Sequence, residues 1–248
     1  MTHTALVTGA SRGIGAATAR LLAKRGYDLA LTYETSAKDA EAVAREAEAQ
    51  GVRAKIYQVN VAEEQQILAL FDKIDRDLGP LTGLVNNAGI TGPAGRMEDL
   101  RAADLMQVLA VNVFGSMIAA REAVRRMSTR HGGKGGSIVN LSSAAARIGS
   151  PNEFIHYAAS KGAIDSFTLG LAREVGEDGV RVNAVRPGLI ETEIHARAGM
   201  PDRLARLAPL NPMKRAGTAD EVAEAIVWLL SNAASYVTGT LVDVAGGR

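Results

Sequence analysis

Apolar residues recur along this chain in two alternating rhythms. Short runs at 4–8 (TALVT), 29–33, 54–59, 81–86, 137–141, 180–185 and 240–244 have the length and composition of buried strands. Between them apolar positions fall three or four apart, as at Ile14, Ala17, Leu21 and Leu22. That spacing predicts helices over 13–25, 39–50, 63–78, about 102–129, about 155–175 and 221–230. Strands that are apolar on both faces and separated by helices predict a parallel sheet of about seven strands covered on both sides. With right-handed crossovers, this is an α/β doubly wound fold.

No internal repeat or composition shift divides residues 1–248, so the expectation is a single domain. Residues 131–136 (HGGKGG) predict an exposed loop. Residues 191–217, with Pro201, Pro209 and Pro212, are too long for an ordinary connection and predict an insert over the ligand crevice. Composition then narrows the classes. With 47% hydrophobic and 22% charged residues the chain is globular, and its net charge of +1 gives no electrostatic case for nucleic acid or an anionic membrane. Zero cysteines exclude disulfides, thiol catalysis and Cys-ligated metal, and fit a cytoplasmic setting. The start, MTHTALVTGAS, lacks the cationic and apolar regions of a secretion signal, and no uninterrupted apolar stretch approaches a membrane span of about 18 residues. His3, His131, His156 and His195 are scattered, so no metal site is expected.

Glycine makes up 26 residues, and its placement is informative. The first strand runs into Gly9-Ala10-Ser11-Arg12-Gly13-Ile14-Gly15 and then a helix. A tight strand-to-helix turn needs a residue without a Cβ, and close approach of a pyrophosphate to the backbone needs another. Free N–H groups at the helix start would hold the phosphates. The same residues satisfy G-x-S-x-G, the nucleophile elbow of serine hydrolases. That fold needs an oxyanion loop after an earlier strand, and only ten residues precede Ser11.

Tyr157 and Lys161 stand four apart in a helical segment and share one face. A tyrosine phenol, with an ordinary pKa near 10, is brought toward neutral pH by a cation one turn away, which suits acid/base work at a carbonyl or alcohol oxygen. Asn86-Asn87-Ala88-Gly89 follows an apolar strand, Asn112 interrupts an apolar helix, and Ser142-Ser143 ends the next strand. His156 diverges from Tyr157 by about 100° on a helix and is read as exposed or facing the substrate loop. Trp228 is read as core or subunit contact.

TGxxxGxG, NNAG, Asn112, the Ser pair and YxxxK, in this order, resemble the short-chain dehydrogenase/reductase family over essentially the whole chain. Among its members, the chain looks similar to 3-oxoacyl-carrier-protein reductases and glucose 1-dehydrogenase-like enzymes. The resemblance implies a Rossmann fold, a homotetramer and interconversion of a secondary alcohol and a ketone or aldehyde by hydride transfer. It makes Tyr157 the general acid/base, with Lys161 holding the nicotinamide ribose and lowering the Tyr157 pKa. It also assigns Ser143 to the substrate oxygen and Asn112 to a relay water. Ser143 precedes Tyr157 by 14 positions, one more than the frequent spacing, which would fall on Ala144; a one-residue insertion within 149–156 accounts for it. Ser142 is the alternative serine, and Asn112 is alternatively a buried amide that pins two helices.

The cofactor contacts implied are Gly9, Ser11, Arg12, Gly13, Ile14, Gly15, Tyr33, Glu34, Asn60, Val61, Asn87, Ala88, Gly89, Pro187, Gly188, Ile190 and Thr192, beside Tyr157 and Lys161. Asn60 is alternatively an ordinary turn residue. Glu34 lies near where an acid bonds the ribose of NAD, whereas the planar fork of Arg12 suits a 2′-phosphate. NADP(H) is favoured and NAD(H) stays open. A nucleotide-sensing protein that kept the fold without catalysis is the alternative function. An epimerase or dehydratase is a third, and its relatives usually carry a longer C-terminal substrate region.

Overall fold

The alternating runs become β1 (His3–Val7), β2 (Tyr27–Tyr33), β3 (Ala54–Gln58), β4 (Gly83–Asn86), β5 (Gly136–Leu141), β6 (Val180–Pro187) and β7 (Leu241–Val244). The computed structural model describes residues 3–248; Met1, Thr2 and the side chains of His195 and Arg197 lie outside the described residues. Among the described residues these strands form one sheet in the order β3-β2-β1-β4-β5-β6-β7, with every pairing parallel. The fold is therefore the doubly wound Rossmann arrangement. Chain order reverses between β1 and β4, and a crevice opens there beyond the strand C-termini.

Strand β2 begins two residues before the sequence pattern suggested. Its Asp28 is buried yet satisfied, because Arg53 at the start of β3 gives it a backbone N–H at 2.8 Å and a guanidinium nitrogen at 2.7 Å. A paired carboxylate can thus occupy a strand that its polarity alone would exclude.

Helices α1 (Gly13–Lys24), α2 (Ala37–Glu48) and α3 (Glu64–Asp77) are followed by α4 (Ala102–Leu109) and α5 (Gly115–Met127). The expected single helix from about 102 to 129 is thus interrupted by one π-turn, Ala110–Phe114, with Asn112 at its centre. Buried Val108, Val111, Ala119, Ala120 and Ala123 supply this run's inner face. Its most apolar window has a mean hydropathy of 1.5 and is only 33% buried, so by length and composition the run could cross a membrane. The expectation that no stretch approaches such a span needs this qualification.

Then come α6 (Ala145–Ile148), α7 (Ile155–Val175), α8 (Ile194–Arg197), α9 (Arg203–Leu207) and α10 (Ala219–Leu230). The excursion 191–217 is clasped at its base, where Glu191 N–H donates to the Gly217 carbonyl and Gly217 N–H donates to the Leu189 carbonyl, both at 2.9 Å. Trp228 on α10 keeps 42% of its surface exposed, so it is not a core residue of this chain.

Gly115 sits where the π-turn meets the chain leaving β3. A Cβ there would lie 2.5 Å from the Val61 carbonyl oxygen, which is backbone and cannot give way. Gly115→Ala should therefore lose about 1–3 kcal/mol of unfolding free energy, read from urea unfolding by circular dichroism. A loss below about 0.5 kcal/mol would contradict this packing.

Candidate active site

The cleft of about 750 Å³ at the switch point is built from the ends of six strands. Gly9 and Gly13 adopt φ of +64° and +54°, as the tight turn after β1 requires. The turn is clipped to the end of β4 by one side chain. The Asn87 carboxamide donates to the carbonyls of Thr8 (2.8 Å) and Gly9 (3.0 Å), while Thr8 Oγ1 accepts from the N–H groups of Asn87 (2.9 Å) and Ala88 (3.0 Å). Thr32 on β2 fastens the other side, its Oγ1 accepting from Gly9 N–H at 3.1 Å and its carbonyl from Ala10 N–H at 2.8 Å. No side chain caps α1, so its first N–H groups remain for an anion.

Most of the expected cofactor residues border this cleft: Gly9, Ser11, Arg12, Gly13, Ile14, Tyr33, Glu34, Asn60, Val61, Asn87, Ala88, Gly89, Pro187, Gly188, Ile190 and Thr192. Gly15 does not. A Cβ there would sit 2.4 Å from the Gly9 carbonyl oxygen, so Gly15 lets the helix pack beneath the turn. Asn60 also works as a turn residue, its Oδ1 accepting from Ala62 N–H at 3.0 Å. Arg12 meets Ser36 Oγ, just past β2, and pairs with Glu193 of the excursion at 3.1 Å. The residues fit a dinucleotide: a glycine turn too close for side chains, free helix N–H groups, and a guanidinium beside a hydroxyl at the end of β2.

Tyr157, Lys161 and Ser143 come together on the wall beyond β5. Lys161 Nζ donates to the Leu141 carbonyl at 2.5 Å and lies 5.7 Å from the Tyr157 ring centroid. Burial pushes Lys161 down to about 8, and Asp165, one turn further on, opposes that shift. Asp165 is itself held by Arg186 at 2.7 Å. Burial pushes the Tyr157 phenol above its ordinary value, while the Ser143 hydroxyl and the charge of Arg203 pull it down. Desolvation outweighs these two neighbours that favour the phenolate. The two serines also separate. Ser142 is buried and donates to the Lys161 carbonyl at 3.2 Å, whereas Ser143 faces Tyr157. Between them and Tyr157 the chain turns tightly at Gly149, Ser150 and Asn152, all with positive φ, in the segment expected to hold an extra residue.

Asn112 lies behind the wall. Its carboxamide accepts from Ile90 N–H (2.9 Å) and donates to the Ile90 carbonyl (2.9 Å) and to Ser160 Oγ (3.0 Å), while Ser160 donates to the Tyr157 carbonyl at 2.7 Å. The side chain thus ties the loop after β4 to the Tyr157 helix. His156 is buried, not exposed, and Gly92 and Val108 lie against its position. The loop after β4 and α4 cover that face of α7. Thr8, Thr32 and Ser160 were missed in the sequence, since a hydroxyl in a strand or helix carries no signal until its partner is known. Among the described residues no group of three or more acidic or histidine side chains could hold a metal ion.

A family model described as enoyl-(acyl carrier protein) reductase matches residues 9–248. The uncharacterized oxidoreductase YgfF of Escherichia coli K12 is 51% identical over 98% of this chain and 99% of its own length. The cis-4-hydroxycyclohexanecarboxylate dehydrogenase of Sinomonas cyclohexanicum is 39% identical over 98% of this chain and 95% of its own. A short-chain dehydrogenase from Burkholderia cenocepacia J2315, solved in complex with NADP, superposes with a TM-score of 0.91 at 36% identity, covering 99% of this chain and 97% of that one. The matched family model and relatives are named as reductases, oxidoreductases and dehydrogenases, which places the chain among oxidoreductases. The chain belongs to the short-chain dehydrogenase/reductase family.

Lys161 carries a pH signature. Its pKa is about 8 in the fold against 10.5 ordinarily, so between these values the unfolded chain binds more protons. Stability assigned to Lys161 should therefore be lowest below pH 8 and rise toward pH 10.5. The unfolding free energy of the wild type minus that of Lys161→Met should climb by on the order of 3 kcal/mol across this window, followed by urea unfolding at stepped pH. A flat or falling difference would refute the buried-ammonium account.

Proposed function

We propose that the chain is an NADP(H)-preferring oxidoreductase that interconverts a secondary alcohol and a ketone or aldehyde, with Tyr157 as general acid/base. The observation that carries this reading is the convergence of Tyr157, Ser143 and Lys161 on the same cleft as the glycine turn. A bound nicotinamide would supply or accept the hydride at the substrate carbon. In reduction, Tyr157 gives its phenolic proton to the carbonyl oxygen while Ser143 hydrogen-bonds that oxygen. Lys161, fixed on the Leu141 carbonyl, holds the ribose and stabilises the phenolate left behind. Asn112 acts through Ile90 and Ser160 and orders the wall around Tyr157. Asn112 also anchors a water for proton relay, as the family resemblance implies.

Arg12 with Ser36 supports NADP(H) over NAD(H), since a guanidinium and a hydroxyl suit a 2′-phosphate. Glu193 occupies Arg12 in this structure, and phosphate would compete for the same fork. The relative named for cis-4-hydroxycyclohexanecarboxylate acts, by that name, on a secondary alcohol, which favours a carbonyl substrate over the enoyl chemistry in the family model's description. The chain 1–248 would work as one catalytic unit, with 191–217 on the substrate side. The absence of cysteine fits a cytoplasmic setting, and the +1 net charge gives no reason for a nucleic-acid or membrane partner.

The test pairs binding with turnover. NADPH should bind more tightly than NADH by nicotinamide fluorescence, and Arg12→Ala should remove most of that difference. Tyr157→Phe should retain NADPH binding yet lose about 10²–10⁴-fold in turnover of any ketone the wild type reduces. Binding without turnover across a broad carbonyl and alcohol panel would instead favour the non-catalytic nucleotide sensor. No NADPH binding below millimolar would sink both.

We also propose a homotetramer. Met106, Phe114 and Met117 expose 64%, 38% and 42% of their surface along the run from α4 to α5, while Trp228 and Tyr236 are exposed elsewhere. Two separate apolar faces suit two kinds of two-fold contact. Light scattering should give four times the chain mass, reduced by Phe114→Glu; a monomer at micromolar concentration would exclude it.

A further inference from the structure

Behind the Tyr157 wall lies a row of charged groups that the proton and hydride steps do not account for. Lys161 is only 4% exposed, and its Nζ rests on the Leu141 carbonyl at the end of β5. On the side of the loop after β4 it meets Gly89, where an added Cβ would lie 3.6 Å from Nζ. Along α7 it has Tyr157 one turn before it and Asp165 one turn after. Asp165 is the carboxylate whose charge reaches it, and burial removes the water that would screen the two.

Asp165 is held through one oxygen. Both Nε and Nη2 of Arg186, on β6, converge on its Oδ2, at 3.0 and 2.7 Å. Its Oδ1 is buried without a hydrogen-bond partner. A pair kept for stability alone would set both carboxylate oxygens against the guanidinium fork, and a buried pair is in any case a weak source of stability. Arg186 also has an anion on its far side. Its register partner on β7 is Asp243, 3.9 Å from Nη1, and Asp243 lies 3.4 Å from Arg147 on α6. Charge therefore alternates from Lys161 through Asp165, Arg186 and Asp243 to Arg147. Asp243 offsets part of the Arg186 charge, which leaves that of Asp165 less cancelled at Lys161.

Resting on the oxidoreductase reading above, we propose that Asp165, steadied by Arg186, is a positioning residue for the reaction that keeps the buried Lys161 cationic. Asp165 does not border the cleft, so it acts through Lys161 and not on the ligands. A desolvated ammonium releases its proton readily, and the neutral amine would offer no charge to the phenolate that Tyr157 becomes in reduction. Burial takes Lys161 down to about 8, so the pull of Asp165 decides its charge near neutral pH.

Carbon NMR of the whole chain, labelled at the lysine ε-carbons, reads the Lys161 titration directly; its resonance is identified by its absence from Lys161→Met. Asp165→Asn should lower the Lys161 midpoint by about one pH unit or more, and Asp165→Glu should restore part of the shift. With NADPH and any ketone the wild type reduces, the alkaline limb of kcat should move to lower pH by the same displacement. A merely structural role would lower kcat alike at every pH and leave the Lys161 midpoint in place, and that outcome overturns the proposal. A midpoint that moves while the kcat limb stays overturns the role in the reaction. If Asp165→Asn does not fold, Arg186→Gln decides. Removing the competing cation should raise the Lys161 midpoint, and an unmoved or lowered midpoint overturns the proposal. Failure of NADPH to bind removes the oxidoreductase reading and this role with it, whereas an unmoved Lys161 midpoint in a protein that binds NADPH removes only this one.

Discussion

The Asn87 carboxamide, bonded to the carbonyls of Thr8 and Gly9, is the contact on which the cleft depends. Parallel strands open a crevice wherever chain order reverses, but their loops need not face each other at a fixed distance. Here one side chain from the end of β4 reads two carbonyls of the turn after β1, and Thr8 Oγ1 returns the contact to two N–H groups. The turn cannot drift from β4 without leaving several buried polar groups unpaired, each worth about 1–3 kcal/mol. Gly15 makes the same demand sterically, since any side chain there would strike the Gly9 carbonyl and Asn87. The glycine turn, the start of α1 and the loop after β4 therefore move as one body.

A second constraint is the burial of charge near Tyr157. Lys161 is taken out of water and compensated by the Leu141 carbonyl and, at longer range, by Asp165. Asp165 is steadied by Arg186 through one oxygen, while its Oδ1 is buried without a hydrogen-bond partner. The site thus holds an ammonium near its point of titration and a phenol raised by burial. That arrangement costs stability and leaves both groups ready to respond to an incoming charged or polar ligand. Beneath it, Asn86, Asn140 and Thr168 form a buried chain of side-chain hydrogen bonds that joins β4, β5 and α7. The helix that carries Tyr157 is held to the sheet by polar contacts as well as by packing.

The excursion 191–217 links the two ends of the cleft. Glu193 reaches Arg12 beside the glycine turn, and Arg203 reaches Glu153 and the neighbourhood of Tyr157. A ligand that competes for either guanidinium acts on the same segment, whose base is clasped by Glu191, Gly217 and Leu189.

Much of this was legible in the sequence. Strand and helix positions followed from hydrophobic period, because a strand buried on both faces has few ways to be written. The glycine turn and the Tyr157–Lys161 spacing were legible because each is a local geometric requirement. Other features waited for the fold. Polarity at Asp28 hid the start of β2 until Arg53 came alongside, and the π-turn at Asn112 depends on Ile90 and Ser160, both distant in sequence. His156 looked exposed because helical phase says where a side chain points but not what covers it. Arg203 drew no notice, since an arginine in a polar segment is ordinary until the chain folds it against Phe154 and the cleft. By itself the sequence determined what is set within a few residues: the elements, the tight turn and the placing of Tyr157 and Lys161 on one helical face. Which of those groups line the cleft, which stand behind its wall and which charges face one another was decided only by tertiary structure, because those relations join residues tens of positions apart and exist only once the sheet has closed.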